Sequence, residues 1–311
     1  MLETLAVGIV QTNLDAALAW QHGPEIDIDE ALEAESQIVH SLEALGGVEP
    51  RPQVVVLPEL AVPLHMRAQL QSHANTLEAI IIAGLDYRIL RRPTPTSLGQ
   101  VKNEALLVLP TRWLGRRLRA PTTSRIIGKT YPAWGERRQL RVARYEFSPD
   151  PVVWVFDAHE AGRFAVAICY DFMDLERLSM YRGRIHHLFV LAYNKDVQSF
   201  NHTAEALSRM AFCNVVVVNT GYYGGSLAVS PFRLPYRRTI FRAEGLKLAV
   251  AQTVELPVQS LNDHQVMSEY GEDAPFKAHP PGFRARESLL AAHGPIEENI
   301  IDLLNFDHRR P

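Results

Sequence analysis

Three residues able to act as base, cation and nucleophile, Glu59, Lys129 and Cys169, each follow closely on a short run of branched apolar residues. The run Phe164-Ala165-Val166-Ala167-Ile168 leads directly into Cys169-Tyr170-Asp171, and a helical pattern begins near Asp174. A run of this kind suits a buried strand, so Cys169 falls at a strand-to-helix turn. A thiol there points out of the sheet's carboxyl edge. Backbone N–H groups of the incoming helix then favour negative charge on sulfur or on a substrate oxygen. The plainer alternative is a structural cysteine packed as a small hydrophobe.

The same arrangement recurs along the chain. The apolar run 53–57 is halted by Pro58 and followed by Glu59, and the run 124–128 is followed by Lys129. The strand 187–192 ends in Tyr193-Asn194-Lys195-Asp196, and the strand 215–218 in Asn219-Thr220-Gly221. In sheets flanked by helices such strand ends converge on one rim, where ligands bind. A carboxylate gathered there can act as base toward the thiol, and an ammonium can stabilise a thiolate and an oxyanion. Alternatively, Glu59 and Lys129 form only a salt bridge. Lys195 and Asp196 either hold a charged substrate head group or pair with each other.

Alternating strands and helices must position these groups. Residues 5–11 are a strand. Asp27 with Glu30 three residues later marks a helix start, and Ala31, Leu32, Ala34, Ile38, Val39, Leu42 and Leu45 recur at helical spacing until Gly46-Gly47. Pro63 begins a second helix reaching about Glu78, and strands follow at 79–84 and 104–109. Strands 152–156 and 163–168 pair through the turn at Glu160-Ala161-Gly162. Leu175, Leu178 and Tyr181 mark one later helix, Phe200, Ala204, Leu207 and Ala211 another, and 246–255 supplies late strands.

Pro58-Glu59-Leu60, Gly128-Lys129-Thr130-Tyr131-Pro132 and Ile168-Cys169-Tyr170-Asp171, in that order, resemble the three signature blocks of the nitrilase superfamily, the carbon-nitrogen hydrolases. Asp174, Arg177, Arg209-Met210-Ala211 with Asn214, and Gly224-Gly225-Ser226 extend the resemblance to roughly residues 5–257. It implies an α/β fold, a four-layer αββα sandwich over residues 1–262, usually paired into homodimers or larger homo-oligomers. It implies that Glu59 is the general base, Lys129 the oxyanion stabiliser and Cys169 the nucleophile. Glu136 is then the polar residue that positions substrate or water, and the backbone N–H of Tyr170 an oxyanion donor. Asn194 joins Glu136 and Tyr170 as a substrate-positioning candidate, and Cys213 is read as a core residue.

The implied reaction is hydrolysis of the non-peptide C–N bond of a small linear amide through a thioester, with nitrile and carbamoyl substrates as variants and no metal or organic cofactor. Two alternatives stand beside it. One is a nitrilase-like module of a larger bacterial assembly, such as the defence proteins that join such a domain to a reverse transcriptase. The other is a non-catalytic ligand-binding scaffold, against which the joint presence of Glu59, Lys129 and Cys169 speaks.

The sequence departs from the family where substrate choice is made. Leu60-Ala61-Val62-Pro63-Leu64-His65 replaces an aromatic or glycine-tyrosine element, and Arg182-Gly183-Arg184-Ile185-His186-His187 replaces a small-residue turn. The stretch from Thr111 to Arg119, with Trp113 among its arginines and Arg125 following, reads as a basic hairpin. It is either an arm for a phosphate-bearing partner or a solvated loop or oligomer contact, and the slightly acidic chain favours the second. Gly221-Tyr222-Tyr223-Gly224-Gly225-Ser226 lacks the lysine and following helix of a phosphate loop and reads as a glycine turn.

With 47% hydrophobic and 22% charged residues the composition is that of a soluble globular protein. A net charge of -3 gives no global electrostatic case for a nucleic-acid or membrane partner. Two cysteines do not make a disulfide framework and fit a reducing cytoplasm. Residues 1–20 contain Glu3 and Asp15 and do not read as a signal peptide. No run approaches the ~18 apolar residues of a membrane span. The histidines form no convincing ligand pair, so no metal site is expected. Residues 263–311, with Pro275, Pro280 and Pro281 and a short helix at 287–292, are expected to form a C-terminal arm packing on the domain or a partner subunit.

Overall fold

Apolar runs spaced by turns and helices build two central sheets in the computed structural model, which describes residues 1–118, 124–267, 271, 273–284 and 300–303. In chain order the elements are β1 (Thr4–Gln11), α1 (Ile28–Gly46), β2 (Val54–Val56), α2 (Arg67–Leu77), β3 (Ile80–Gly84), β4 (Arg88–Arg91), β5 (Gly99–Lys102), β6 (Glu104–Val108), β7 (Arg112–Trp113), β8 (Arg116–Arg117), β9 (Ser124–Gly128), α3 (Trp134–Val142), β10 (Tyr145–Phe147), β11 (Val155–Asp157), β12 (Arg163–Ile168), α4 (Leu175–Tyr181), β13 (His187–Ala192), α5 (Val197–Leu207), β14 (Asn214–Asn219), β15 (Ser226–Val229), α6 (Pro235–Arg238), β16 (Thr239–Ala243), β17 (Val250–Pro257), α7 (Gln259–Val266) and β18 (Ile300–Asp302). One sheet has the order β17-β1-β2-β3-β6-β9 and the other β16-β15-β14-β13-β12-β11-β18. The centre of each is parallel: β1, β2 and β3 in the first, β12, β13 and β14 in the second.

Alternation along the strands assigns the layers. Val54 and Val56 of β2 and Ile80 and Ile82 of β3 pack in one core with Phe164 and Phe189 of the second sheet. Val55 and Ile81 between them pack with Ile38 and Leu42 of α1 and Leu70 and Ala74 of α2. Leu178 and Tyr181 of α4 and Phe200 and Ala204 of α5 join the core of the second sheet. The layers therefore run helices, sheet, sheet, helices. Burying both faces of a parallel sheet is what lets its strands read as near-continuous apolar runs.

Local signals explain most boundaries. The Asp27 carboxylate caps α1, accepting from Asp29 N at 3.0 Å. After Pro63 the chain first makes a tight 3-10 turn, Leu64–Met66, and α2 begins only at Arg67. The helix expected to include Ala211 ends at Leu207 and widens into a π turn, Ser208–Phe212, with Phe212 in the left-handed region. The late strand starts at Val250 rather than 246 and pairs antiparallel with all of β1. A separate sheet, β10-β5-β4, falls on short, mostly polar stretches that carry no strand-like pattern.

The helix α7 runs across residue 262, and beyond it Phe276 packs on Phe212 and Phe232 while β18 pairs with β11. The helix expected at 287–292 and the polar end 305–311 lie outside the described residues, as does Arg119. Among the described residues no helix is long and apolar enough to cross a membrane, and no group of three or more His, Cys, Asp or Glu side chains is placed to hold a metal ion.

Candidate active site

Glu59 is delivered by the end of β2 and held against β3. A Cβ on Gly84 would lie 2.2 Å from the Pro58 carbonyl and 2.5 Å from Glu59 Cα, so only glycine lets the two backbones approach this closely. The Glu59 carboxylate accepts three hydrogen bonds. Lys129 Nζ at 2.7 Å and Asn103 Nδ2 at 2.8 Å reach Oε1, and Tyr193 N at 2.9 Å reaches Oε2. Lys129, set at the end of β9 by its own N–H to Asn103 O at 2.9 Å, also donates to Glu136 Oε2 at 2.5 Å. Glu136 lies in the first turn of α3, where its carboxylate also accepts from Ala133 N, Asn103 Nδ2 and Tyr87 OH. One ammonium is thus clasped by two carboxylates, with Lys129 1% and Glu59 2% exposed.

Cys169 completes the cluster from the second sheet. It follows the last residue of β12, opens the 3-10 turn Cys169–Met173, and sits at φ 48°, a left-handed backbone that costs a non-glycine residue about 1–3 kcal/mol. The thiol lies close enough to Glu59, Lys129 and the Tyr193 N–H for each of them to act on its titration. Burial, and then the Glu59 charge, hold the thiol well above its usual range, while Lys129 and the Tyr193 N–H pull against them. Burial also raises Glu59; Lys129 opposes this and the Glu136 charge adds to it. Burial disfavours the charged Lys129, but Glu136 and Glu59 outweigh it and hold the ammonium well above its ordinary value. The resting cluster is a neutral thiol beside a carboxylate with raised proton affinity and a firmly charged lysine.

A second layer ties the loops that carry these groups. Asp171, fully buried, accepts from Thr130 N and from Tyr131 N at 2.8 Å and pairs with Arg177 at 3.0 Å. It therefore clamps the turn after Lys129 to the turn after Cys169. Asn219, at the end of β14, accepts from Asn194 N at 2.9 Å and donates to Asn194 O and Gly224 O. The side chain of Asn194 is engaged on its own turn: Nδ2 donates to Asp196 O and Oδ1 accepts from Asp196 N. Tyr170 stands half-exposed directly after Cys169, in a first turn whose N–H groups have no acceptor within the helix.

The structure thus brings Glu59, Lys129, Glu136 and Cys169 together, places Tyr170 beside them, and turns the Asn194 amide toward its own loop. Asn103 and the Tyr193 N–H have no place in the sequence reading, and Asp171, part of the block that holds Cys169, has no role there. Asp171 was within reach of notice, two residues past the cysteine; a backbone N–H leaves no mark in the residue type. Asp196 caps α5 through Ser199 N, which accounts for its carboxylate without a substrate. In the basic hairpin, Trp113 is buried and donates to Gln53 O at 2.8 Å, and Arg116 rests on Glu160. That indole anchors the hairpin to its own chain.

Neither a family model nor a curated protein matches the sequence. Solved structures do match in fold. A carbon-nitrogen hydrolase from Helicobacter pylori superposes with a TM-score of 0.58 at 11% identity, over 84% of this chain and 92% of that one. A CN-hydrolase superfamily protein from Xanthomonas campestris, with an arsenic adduct in its active site, gives 0.55 at 16% identity over 85% and 94%. A variant of an amidase from Nesterenkonia, carrying the acetamide moiety of fluoroacetamide covalently on its active-site cysteine, gives 0.54 at 14% identity over 81% and 90%. The chain has the fold of the carbon-nitrogen hydrolases.

Proposed function

We propose that this chain is a cysteine hydrolase that cleaves the C–N bond of a small linear amide, with Cys169 as nucleophile, Glu59 as general base and Lys129 as oxyanion stabiliser. The observation that carries this reading is the buried cluster that sets a thiol within electrostatic reach of a carboxylate already bonded to a lysine. The amidase whose active-site cysteine carries the acetamide moiety of fluoroacetamide, similar in fold, supports it. A scaffold gains little from such a cluster, because the desolvation of buried ion pairs largely cancels their attraction.

The chemistry follows from the charges. A neutral thiol is a poor nucleophile, so its proton passes to Glu59 as sulfur attacks the amide carbon. The carbonyl oxygen becomes an oxyanion, stabilised by Lys129 and by the Tyr170 N–H; such a donor is worth roughly 3 to 4 kcal/mol in the transition state. The proton on Glu59 moves to the departing nitrogen, ammonia or an amine leaves, and a thioester remains on Cys169. Water gives a proton to Glu59 and attacks the thioester, the thiolate takes the proton back, and an acid is released. Glu136 keeps Lys129 oriented and is positioned to hold substrate or water. Carbamoyl substrates fit the same steps; a nitrile instead adds the thiol to give a thioimidate, a first water releases ammonia to leave the thioester, and a second water releases the acid. Assembly into homodimers or larger homo-oligomers belongs to the same reading.

Intact-mass spectrometry after incubation with small amides, carbamoyl compounds, nitriles and fluoroacetamide tests it. The expected result is an acyl adduct on Cys169 that is absent in Cys169→Ala. No adduct, no product and no alkylation of Cys169 by iodoacetamide would remove the hydrolase reading.

A further inference from the structure

Trp134, Arg137, Arg138, Arg141 and Val142 of α3 follow the spacing i, i+3, i+4, i+7, i+8, by which an amphipathic helix usually turns its apolar side to a core. Here that stripe faces solvent. Trp134 is 76% exposed, Val142 is 81% exposed, and the three arginines are exposed between them. The helix is anchored elsewhere, through buried Leu140 and through Glu136 on Lys129. The stripe lines an open depression of about 370 Å³, large enough for a small ligand or a short strand.

The arginines of this face are unpaired among the described residues. Elsewhere Arg88, Arg92, Arg116, Arg163 and Arg177 each rest on a carboxylate. Among the described residues no ion pair is made by Arg137, Arg138 or Arg141. Arg138 lies instead over the Trp134 ring, 5.5 Å from its centre. The overall charge of -3 does not cancel this locally, because a surface field is set by charges within about 10 Å at ordinary salt. The expectation of no nucleic-acid partner rested on that overall charge and does not reach this helix.

We propose that this face of α3 binds single-stranded nucleic acid, with a base stacked at Trp134 and phosphates on Arg137 and Arg141. An exposed indole beside a guanidinium is a stacking platform for any base. Arg137 and Arg141 stand one helical turn apart, and their planar forks match phosphate oxygens in pairs. An acidic peptide fits less well, since Val142 and the indole are the only apolar groups lining the depression.

The test uses the full chain carrying Cys169→Ala, so its outcome is independent of hydrolysis. Fluorescence anisotropy follows a labelled oligothymidylate of about 12 nucleotides, within the footprint of known single-strand binders. Saturable binding is expected, with log K falling against log salt at a slope of about -1.4, the value for two phosphates on a single strand. Arg137→Glu with Arg141→Glu should weaken binding at least tenfold, and Trp134→Ala several-fold with the slope unchanged. The single change Arg141→Gln, which alters no packing, should flatten the slope. Absence of binding at low salt, binding unaffected by the double charge reversal, or equal competition by a poly-glutamate peptide would overturn the proposal.

Discussion

The two cysteines of this chain lie at opposite edges of the same set of parallel strands, Cys169 at the carboxyl end of β12 and Cys213 at the amino end of β14. Both are buried and both thiols are pushed up by that burial, Cys213 to about 12. Burial therefore does not single out the nucleophile. Nothing charged shifts Cys213, whose backbone exchanges hydrogen bonds with Ser208. At Cys169 a carboxylate and an ammonium both act on the thiol, the two groups to which the proposed mechanism gives its proton and the developing charge. A neutral thiol becomes useful when the route for its proton is built beside it.

Substitutions at the two ends should separate them most sharply. Cys169→Ala should reduce turnover by about 10³-fold or more, as loss of a nucleophile does, read as product release from an amide substrate. Lys129→Met should lower kcat by roughly 10² to 10³-fold, the scale of one lost oxyanion donor. A rise in KM with kcat unchanged would remove the oxyanion role. The pH profile gives a finer comparison. Glu59 must be ionised to accept the thiol proton, and its affinity for protons is raised, so kcat/KM should fall with acid at a pH above the ordinary glutamate range. The Glu136 charge contributes to that rise. Glu136→Gln should therefore move the acid limb to lower pH, and an unmoved limb would mean that another group sets it. Cys213→Ala should leave turnover unchanged and cost on the order of 1 kcal/mol in chemical denaturation, the scale of a small cavity. A loss of activity there would break the contrast.

Much of this arrangement was legible because each functional side chain follows closely on an apolar run, and such runs announce buried strands. Glu59, Lys129 and Cys169 were found that way, and Glu136 through the motif that follows Lys129. The unread parts are those with no side-chain signature. Tyr193 serves through its N–H, and Asn103 stands at a strand start where asparagine is commonplace. The β10-β5-β4 sheet mixes apolar with charged residues in strands of three or four, too short to show a pattern, and their pairing depends on neighbours distant in sequence. Trp113 among arginines looked like a surface group; only the packed fold shows its indole bonded inside.

Glu59 and Lys129 arrive from one sheet, Cys169 and Tyr193 from the other. Neither half has chemistry by itself: a base without a thiol on one side, an inert thiol on the other. Reactivity at Cys169 is then an internal certificate that the two sheets have docked in register. Under the proposed mechanism, a chain that folds only in part, or docks its sheets askew, has no loose hydrolytic activity to inflict on its surroundings.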